Sequence, residues 1–556
     1  MPVIEISKWD LERLVGKSLS DADIMDLLPR VKCEIDEIRD DKIVYEAPHD
    51  RPDLFSVEGL ARAIRQYLGI GRNDFVFEDR GVKAYNMGVP KRPYVAFAIV
   101  EDLELDDEAI SQLFNLQEKL HITYARNRRK ASIGLYDLDK IELPVYYELV
   151  DPDKTRFVPL GDYRELSLRE ILSETEKGRE YGHLIKDWDK YPVLRDSSGE
   201  ILSLPPIINA EYNRVTVDTK RVLIDSTGID PKIVIDMVTI MATSVAERSK
   251  TRKIIFVDTI MPDGNVIRAP RSSGPTISLN VAKAEEVLGI KVDIKTAIES
   301  LRKMGYSIVG VEESSVTARA PPYRLDVFEW IDLVEDIAMA IGYDVVGNSA
   351  ISLPPAHHSG RMHPLEYLSR RIRLLMISLG FFEVVNYMMS NPWIQNEVFG
   401  DNKPLVVVSN PKMEKYTCLR RWLTPGLLEV IATNIDKKKE MRIFEVGDVA
   451  IVDDKSDTGV HIERRLGFAI THPKATLTDS LAVLKTLFDT LGIKTVFEKA
   501  KIPGLIPERT AYIKADNIVL GFTGEVDPRI LYSLNIMNPV AVSEIILNNL
   551  IKLWLT

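Results

Sequence analysis

The sequence predicts an α+β multidomain protein, and three observations carry that reading. At 556 residues the chain exceeds what one hydrophobic core supports, so roughly three to five domains are expected. Runs that alternate at period two are interleaved with runs carrying apolar residues at helical spacing. The C-terminal part holds the alternating runs LVVVS, MRIFEVGDVAIV, RLGFAITH, AYIKA and VLGFTGEVD, which predict an antiparallel sheet with flanking helices.

Residues 1–90 read as a mixed N-terminal domain. VIEIS alternates as a strand, Ser7 with Asp10 has the spacing of a capping box before a helix ending near Gly16, and Ser20 with Asp23 repeats it. Strands are expected over 33–38 and 42–46, then a turn fixed by Pro52 and helical periodicity over 55–68.

A larger domain, 91–265, follows, with a strand at 94–100, a helix at 109–121 and the Gly-containing strand and turn ASIGLYDLDKI. Arg126, Arg128, Arg129 and Lys130 form a basic cluster that reads as solvated surface; Lys437, Lys438 and Lys439 read the same way. The segment 193–228 carries a Ser-Gly turn, two prolines and strands with inward polar residues, which need partners and therefore imply a buried network or a pocket. Asp225 also suits a turn that caps the helix expected from about residue 230.

Residues 270–345 read as a small domain: strand TISLN, helices ending at Gly289 and Gly305, then a hairpin. Helices and a hairpin in this order suit a winged-helix-like module. Its last helix is expected just after Asp326, with Trp330, Ile331, Val334, Ile337, Ala338 and Ile341 on one face and Asp332, Glu335 and Asp336 on the other. Four carboxylates without histidine or cysteine suit magnesium, a hard cation with oxygen ligands. Asp326 with Glu329 equally suits a capping box, and acids opposite an apolar stripe suit a solvated face. A linker, 346–360, carries Pro354, Pro355, His357 and His358, read as polar linker residues, and the final domain spans 361–556.

Two cysteines, Cys33 and Cys418, exclude a disulfide framework and a cysteine-built zinc site. The start MPVIEISKWD has no basic leader, and no apolar run is long enough to span a bilayer, so a cytoplasmic protein with no membrane association is expected. The net charge of −11 argues against a general nucleic-acid coat and leaves room for local contacts.

Several of these stretches share a resemblance. The acid-bearing run 322–342, the turn Asp50-Arg51-Pro52-Asp53-Leu54, the stretches PPIINAEYNRV and LIDSTG, Asn410-Pro411, LRRWLTPGLL, IFEVG and GEVDP together resemble the phenylalanyl-tRNA synthetase beta-subunit family of the archaeal and eukaryotic type. The resemblance implies that 91–265 is an editing domain of the B3/B4 kind, which hydrolyses tyrosine wrongly esterified to phenylalanine tRNA. It places Leu194, Ser203, Asn209, Glu211, Asp225 and Thr227 around that site. Leu194 would pack on the ring, Ser203, Asp225 and Thr227 would position the ester or a water, and Asn209 or Glu211 would meet the phenolic hydroxyl. Such a site is physically required, because an apolar pocket rejects an added hydroxyl by only about a hundredfold. No Ser/His/Asp or Cys/His arrangement points to covalent chemistry, which favours a positioned water.

The resemblance also implies magnesium at Asp326, Asp332, Glu335 and Asp336 of a B5-like domain, and a class II synthetase-like antiparallel sheet domain over 361–556. Arg442 and Glu445 partly match the family's second class II motif, while the last segment, PVAVSEIILNNLIKLWLT, lacks the glycine and arginine of the third. That core is expected to be catalytically silent, with ATP used on an alpha subunit in a two-alpha, two-beta assembly that charges phenylalanine tRNA. The helix from 364 and the segment 381–388 are expected to meet that subunit. A subunit that only scaffolds the alpha chain, and a magnesium-dependent hydrolase centred on Asp326, are the alternatives.

Overall fold

The structure, a computed structural model, describes residues 1–71, 74–347 and 360–554. The chain divides into two compact units, Met1–Ser352 and Leu353–Thr556. Pro354, Pro355, His357 and His358 lie outside the described residues.

The first unit opens with a three-stranded sheet in which Lys42–Glu46 pairs antiparallel with Val3–Ser7 and Glu34–Arg39. The Ser20–Asp23 capping box forms as expected on Asp21–Arg30. The Ser7 box does not: its hydroxyl donates to Glu108, and Asp10 is buried against Arg248 at 2.7 Å. A 3-10 turn, Pro52–Leu54, leads into the helix Val57–Leu68, where a side chain at Gly59 would strike the Asp53 carbonyl.

The centre of this unit is a ten-stranded mixed sheet. Val76–Asn86, which sequence reading leaves in the N-terminal domain, runs parallel to both Lys253–Ile260 and Val145–Val150 inside this sheet. One apolar core from Ile4 to Ala269 joins the two regions. The helix Pro231–Ala246, capped by Asp230, packs on the strands Tyr94–Val100 and Val222–Gly228. Asp225 therefore lies in mid-strand, between Gly134 on one neighbour and Phe97 on the other, and caps nothing. The hairpin to Val266–Ala269 extends the sheet past residue 265.

Within 270–345 the strands Thr276–Asn280, Ser315–Arg319 and Ser307–Val311 form a small sheet over the helices Val281–Leu288, Ile294–Lys303 and Trp330–Ile341. The last helix starts at Trp330, later than expected after Asp326, with Glu329 as N-cap and Asp332 closing the box. Ahead of it the chain turns at Pro322 and Tyr323, the Arg324 N–H donating to the Pro321 carbonyl at 3.2 Å.

In the second unit a seven-stranded sheet runs in the order Phe382–Glu383, Met441–Val452, Val460–Thr471, Val540–Ile546, Ile518–Val526, Leu505–Ala515, Val496–Lys499. The helices Pro364–Ser378, Leu477–Leu491 and Leu547–Trp554 share a core with one of its faces. Two expectations change. LVVVS contributes only an isolated bridge at Val407, and 381–388 yields just the two-residue strand Phe382–Glu383, because the flanking Val385 and Tyr387 face solvent. The final segment splits into the central strand Val540–Ile546 and the helix Leu547–Trp554.

Candidate functional site

Period-two geometry builds the site on adjacent strands of the large sheet. Ala131–Asp137 directs Ser132, Gly134 and Tyr136 to one face, and its neighbour Val222–Gly228 sets Asp225 opposite Gly134 and Thr227 opposite Ser132. Gly134 is obligatory in this register, since a Cβ there would collide with both the Tyr136 hydroxyl and the Asp225 carboxylate. The Tyr136 hydroxyl stands 2.6 Å from Asp225 Oδ1 and 2.9 Å from Ser203 Oγ. With one proton to give, it donates to the carboxylate and can accept from the serine.

These groups open on a cavity of about 140 Å³ walled by Phe114, Leu160, Ile133 and the segment 204–208, with Gln117, Glu118, Arg128, Lys177 and Asn209 at its polar edge. A cavity of about 150 Å³ admits a benzene ring. Burial pushes the Asp225 carboxyl up to about 7, and the Tyr136 bond, the Arg92 charge and the Gly134 backbone only partly offset that rise. No salt bridge forms at Asp225 among the described residues, so its proton is exchangeable at neutral pH.

Arg128 enters the cavity wall because Arg126, Asn127 and Arg128 adopt left-handed backbone angles, φ 50°, 54° and 61°. Its guanidinium donates to the Pro206 and Ile207 carbonyls at 3.0 and 2.8 Å, pairs with Glu118 at 2.7 Å, and lies over the Tyr181 ring. The expectation that this whole cluster is solvated surface fails at Arg128, which is buried, and holds for Arg126 and Arg129. Burial lowers the His121 imidazole to about 4; its Nε2 accepts from the Ile133 N–H, so it is a neutral structural group. Gln117 donates through Nε2 to the Ile133 carbonyl at 2.9 Å, while its buried Oε1 receives no hydrogen bond.

Of the six expected residues, the structure brings Ser203, Asn209 and Asp225 to the cavity. Leu194, Thr227 and Glu211 are not among its lining residues. Leu194 is wholly buried in a neighbouring apolar cluster, paired across the ladder with Ser203. Thr227 sits behind the wall, its hydroxyl accepting from Arg92 Nε at 2.9 Å and facing Ser132 at 3.1 Å. Glu211 accepts from the Gly161 N–H at 2.7 Å and pairs with Arg214. Tyr136, Gln117 and Glu118 have no site role in the sequence reading and Arg128 is read there as surface, although Ser132, Gly134 and Tyr136 at every second position already mark a polar stripe in an otherwise apolar strand.

The second expected site does not assemble as expected. Asp326 is held in a two-point bond by Arg324 at 2.8 Å, and Asp336 accepts from Arg324 at 2.7 Å and from Tyr306 at 2.6 Å. Asp332 is spent on the Phe328 and Glu329 N–H groups at the helix start, and Glu335 pairs with Lys32 at 2.9 Å. Burial would raise the Asp326 carboxyl, but Arg324 and Arg51 outweigh it and hold it at about 2. Among the described residues no three acids, histidines or cysteines gather as a metal-binding group. With Arg324 between two of them, the four carboxylates do not fit a magnesium ion. Asp336 is also buried, not on a solvated face, because the helix turns Leu333, Ile337 and Ala340 to the same core.

In the second unit Arg442 is exposed and Glu445 is buried against Arg420 at 2.6 Å and Asn386 at 2.8 Å. The two residues that partly match the second class II motif thus sit in opposite environments.

Family models match three parts of the chain: the B3/4 domain over 104–254, which contains the cavity, the tRNA synthetase B5 domain over 277–343, and the phenylalanyl tRNA synthetase beta chain CLM domain over 351–547. The phenylalanine–tRNA ligase beta subunit of Thermofilum pendens is 40% identical across 100% of this chain and 99% of that protein. The chain belongs to the phenylalanine–tRNA ligase beta-subunit family. The beta subunit of Pyrococcus furiosus is 36% identical over 99% of this chain and its own full length. A crystal structure of an N-terminal fragment of the Pyrococcus horikoshii beta subunit superposes with a TM-score of 0.58 at 38% identity, covering 62% of this chain and all of that fragment. Among the described residues no helix is long and apolar enough to cross a membrane.

Proposed function

We propose that this chain is the editing and scaffolding subunit of a two-alpha, two-beta phenylalanine–tRNA ligase. In this reading the alpha subunit charges phenylalanine tRNA with ATP, and the cavity of the large sheet hydrolyses tyrosine wrongly joined to that tRNA. The observation that carries it is Asp225, buried, pushed up to about 7 and bonded to Tyr136 beside Ser203 at the wall of a ring-sized cavity. A carboxylate with that pKa is suited to general-base work at neutral pH. It takes a proton from water as the water oxygen bonds to the ester carbonyl carbon. The bond to the ribose oxygen then breaks, that oxygen takes back the proton held by Asp225, and tyrosine and free tRNA leave with the carboxylate regenerated. Ser203 and Tyr136 orient the water and carboxylate.

Selectivity falls to Gln117. Its unpaired Oε1 can accept the proton of a phenolic hydroxyl, whereas phenylalanine would leave this buried acceptor without a partner. This assigns to Gln117 the role expected of Asn209 or Glu211.

Within the second unit, the strand Val540–Ile546 and helix Leu547–Trp554 carry neither the glycine nor the arginine of a third class II motif, which supports a catalytically silent class II-like core. The exposed Tyr367, Leu374 and Ile377 of the helix Pro364–Ser378, with Phe382, Val385 and Tyr387 after it, supply an apolar surface for the alpha subunit. The small 270–345 region, of winged-helix-like layout, then serves packing, and no step passes through a metal at Asp326.

The test is deacylation of tyrosine-charged and phenylalanine-charged tRNA by the assembled enzyme. The parent should release tyrosine selectively. Asp225→Asn should lose at least about a hundredfold of that rate while phenylalanine attachment is retained. A parent with no selective release leaves only the scaffolding role.

A further inference from the structure

We infer that the two segments flanking the cavity hold the single-stranded 3′ end of the RNA substrate, with Tyr163 stacking on a base and Arg126 and Arg129 meeting phosphates. This rests on the editing reading above and adds where the nucleic acid lies.

Two walls of the cavity lead directly to these side chains. On one side, Leu160 lines the cavity and the chain continues to Tyr163, which is 90% exposed. An aromatic ring so fully in water gains nothing from folding, yet the loop that presents it is tied down. The Leu160 N–H donates to the Asn209 carbonyl at 2.9 Å, the Gly161 N–H to Glu211 Oε2 at 2.7 Å, and the Tyr163 N–H to Asp162 at 2.7 Å. Gly161 takes φ +84°, a left-handed angle that a glycine adopts freely. Glu211 is thereby a positioning residue: it fixes the loop and does not face the cavity.

On the other side, Arg128 lines the cavity and its neighbours Arg126 and Arg129 are exposed. This is an acidic chain, net −11, in which arginines are commonly matched by acids, as Arg128 is by Glu118. Arg126 and Arg129 have no ion-pair partner among the described residues. The left-handed run Arg126, Asn127 and Arg128 carries Arg128 into the cavity wall, while Arg126 and Arg129, its near neighbours in the chain, stay exposed. Unneutralised guanidinium groups beside a lone exposed ring form the combination that recognises single strands: rings stack on bases of any identity, and cations follow the backbone.

The experiment measures tyrosyl-tRNA deacylation by the assembled enzyme for Tyr163→Ala, Tyr163→Phe and the double variant Arg126→Ala/Arg129→Ala, with phenylalanine attachment as the control for assembly. Tyr163→Ala should raise KM about tenfold with kcat held, within the range of one lost base stack, and Tyr163→Phe should behave as the parent. The arginine variant should raise KM and flatten the log–log salt dependence by roughly 1.4, the value for two phosphate contacts on a single strand. An unchanged KM in Tyr163→Ala, or equal impairment in Tyr163→Phe, overturns the stacking role. An unchanged salt slope overturns the phosphate contacts. A parent that releases no tyrosine fails the editing reading itself, a result distinct from either.

Discussion

Asp225 and Asp336 are both carboxylates buried in the first unit, and their surroundings differ in one respect that decides what each can do. Asp336 meets a tyrosine and a guanidinium, Arg324, which also grips Asp326. Asp225 meets a tyrosine that also bonds Ser203, but no direct cation, with Arg92 spent on Thr227, Ser132 and the Arg128 carbonyl. Pairing with Arg324 and Arg51 holds the Asp326 carboxyl of the first cluster at about 2. Burial without pairing leaves Asp225 near the pH at which it would work. The lesson is that a crowd of acids in sequence was assembled as structure, and a solitary acid among hydroxyls became the candidate site.

The comparison breaks most visibly at Arg324. Replacing it by Met leaves the buried Asp336 without a guanidinium and Asp326 with only the more distant Arg51, at 4.0 Å, and the loss of one partner from a buried ion pair costs about 3–5 kcal/mol. We expect Arg324→Met to lower the unfolding midpoint of the full chain and to speed amide exchange within 330–341. A variant as stable as the parent would mean that these acids have another counter-charge.

How much of this was legible in the sequence follows the same division. Strands and helices with clean periodicity were readable: Tyr94–Val100, Pro231–Ala246 and Met441–Val452 fall where expected. The sequence reading also picked out Ser203, Asn209 and Asp225, all of which reach the cavity. It missed Gln117, Glu118 and Arg128, which come from the helix Asp107–Ile122 and the loop after it. Only tertiary packing carries that helix and loop to the sheet, so no local pattern betrays them. Arg324 was missed for a related reason. It lies two residues from Asp326, but its second acid, Asp336, is twelve residues away on the helix Trp330–Ile341, and only the fold brings that acid to the guanidinium.

A second test sharpens the contrast through pH. An acid raised from its ordinary 3.8 to about 7 keeps, in the folded state, a proton that the unfolded chain has lost. Stability therefore falls as pH rises from about 4 through 7, by at most about 4 kcal/mol at about 1.4 kcal/mol per unit. Asp225→Asn should be more stable than the parent at pH 8, with the advantage vanishing toward pH 4. In the parent, tyrosine release should climb as Asp225 ionises near pH 7. Opposite slopes for stability and rate are the signature; parallel slopes would assign the rate to another group.

Gln117 offers a smaller effect. Gln117→Leu removes the unpaired acceptor, so discrimination between tyrosine and phenylalanine esters should drop by about 10- to 100-fold, mostly through faster loss of phenylalanine. The single-turnover rates on the two charged tRNAs check this directly. If selectivity survives, the phenolic hydroxyl is read elsewhere on the wall.

The smallest effect belongs to Glu335, and it separates two accounts of the acidic helix. Lys32 Nζ lies 2.9 Å from Glu335 and 2.6 Å from Asp50, and the Glu335 side chain is 42% exposed. A pair this open is worth about 0–1 kcal/mol, because solvent screens it and both long side chains lose freedom. Glu335→Gln should therefore change stability by less than about 1 kcal/mol, with most of the effect gone in high salt. The magnesium account predicts a different pattern: a saturable rise in the parent's unfolding midpoint on adding magnesium chloride, lost in the variant. We expect parent and variant to respond alike, and no more than to the same ionic strength of sodium chloride. The reason is already in the geometry, since a divalent ion at Asp326 and Asp336 would have to displace a guanidinium that makes three charged bonds to them.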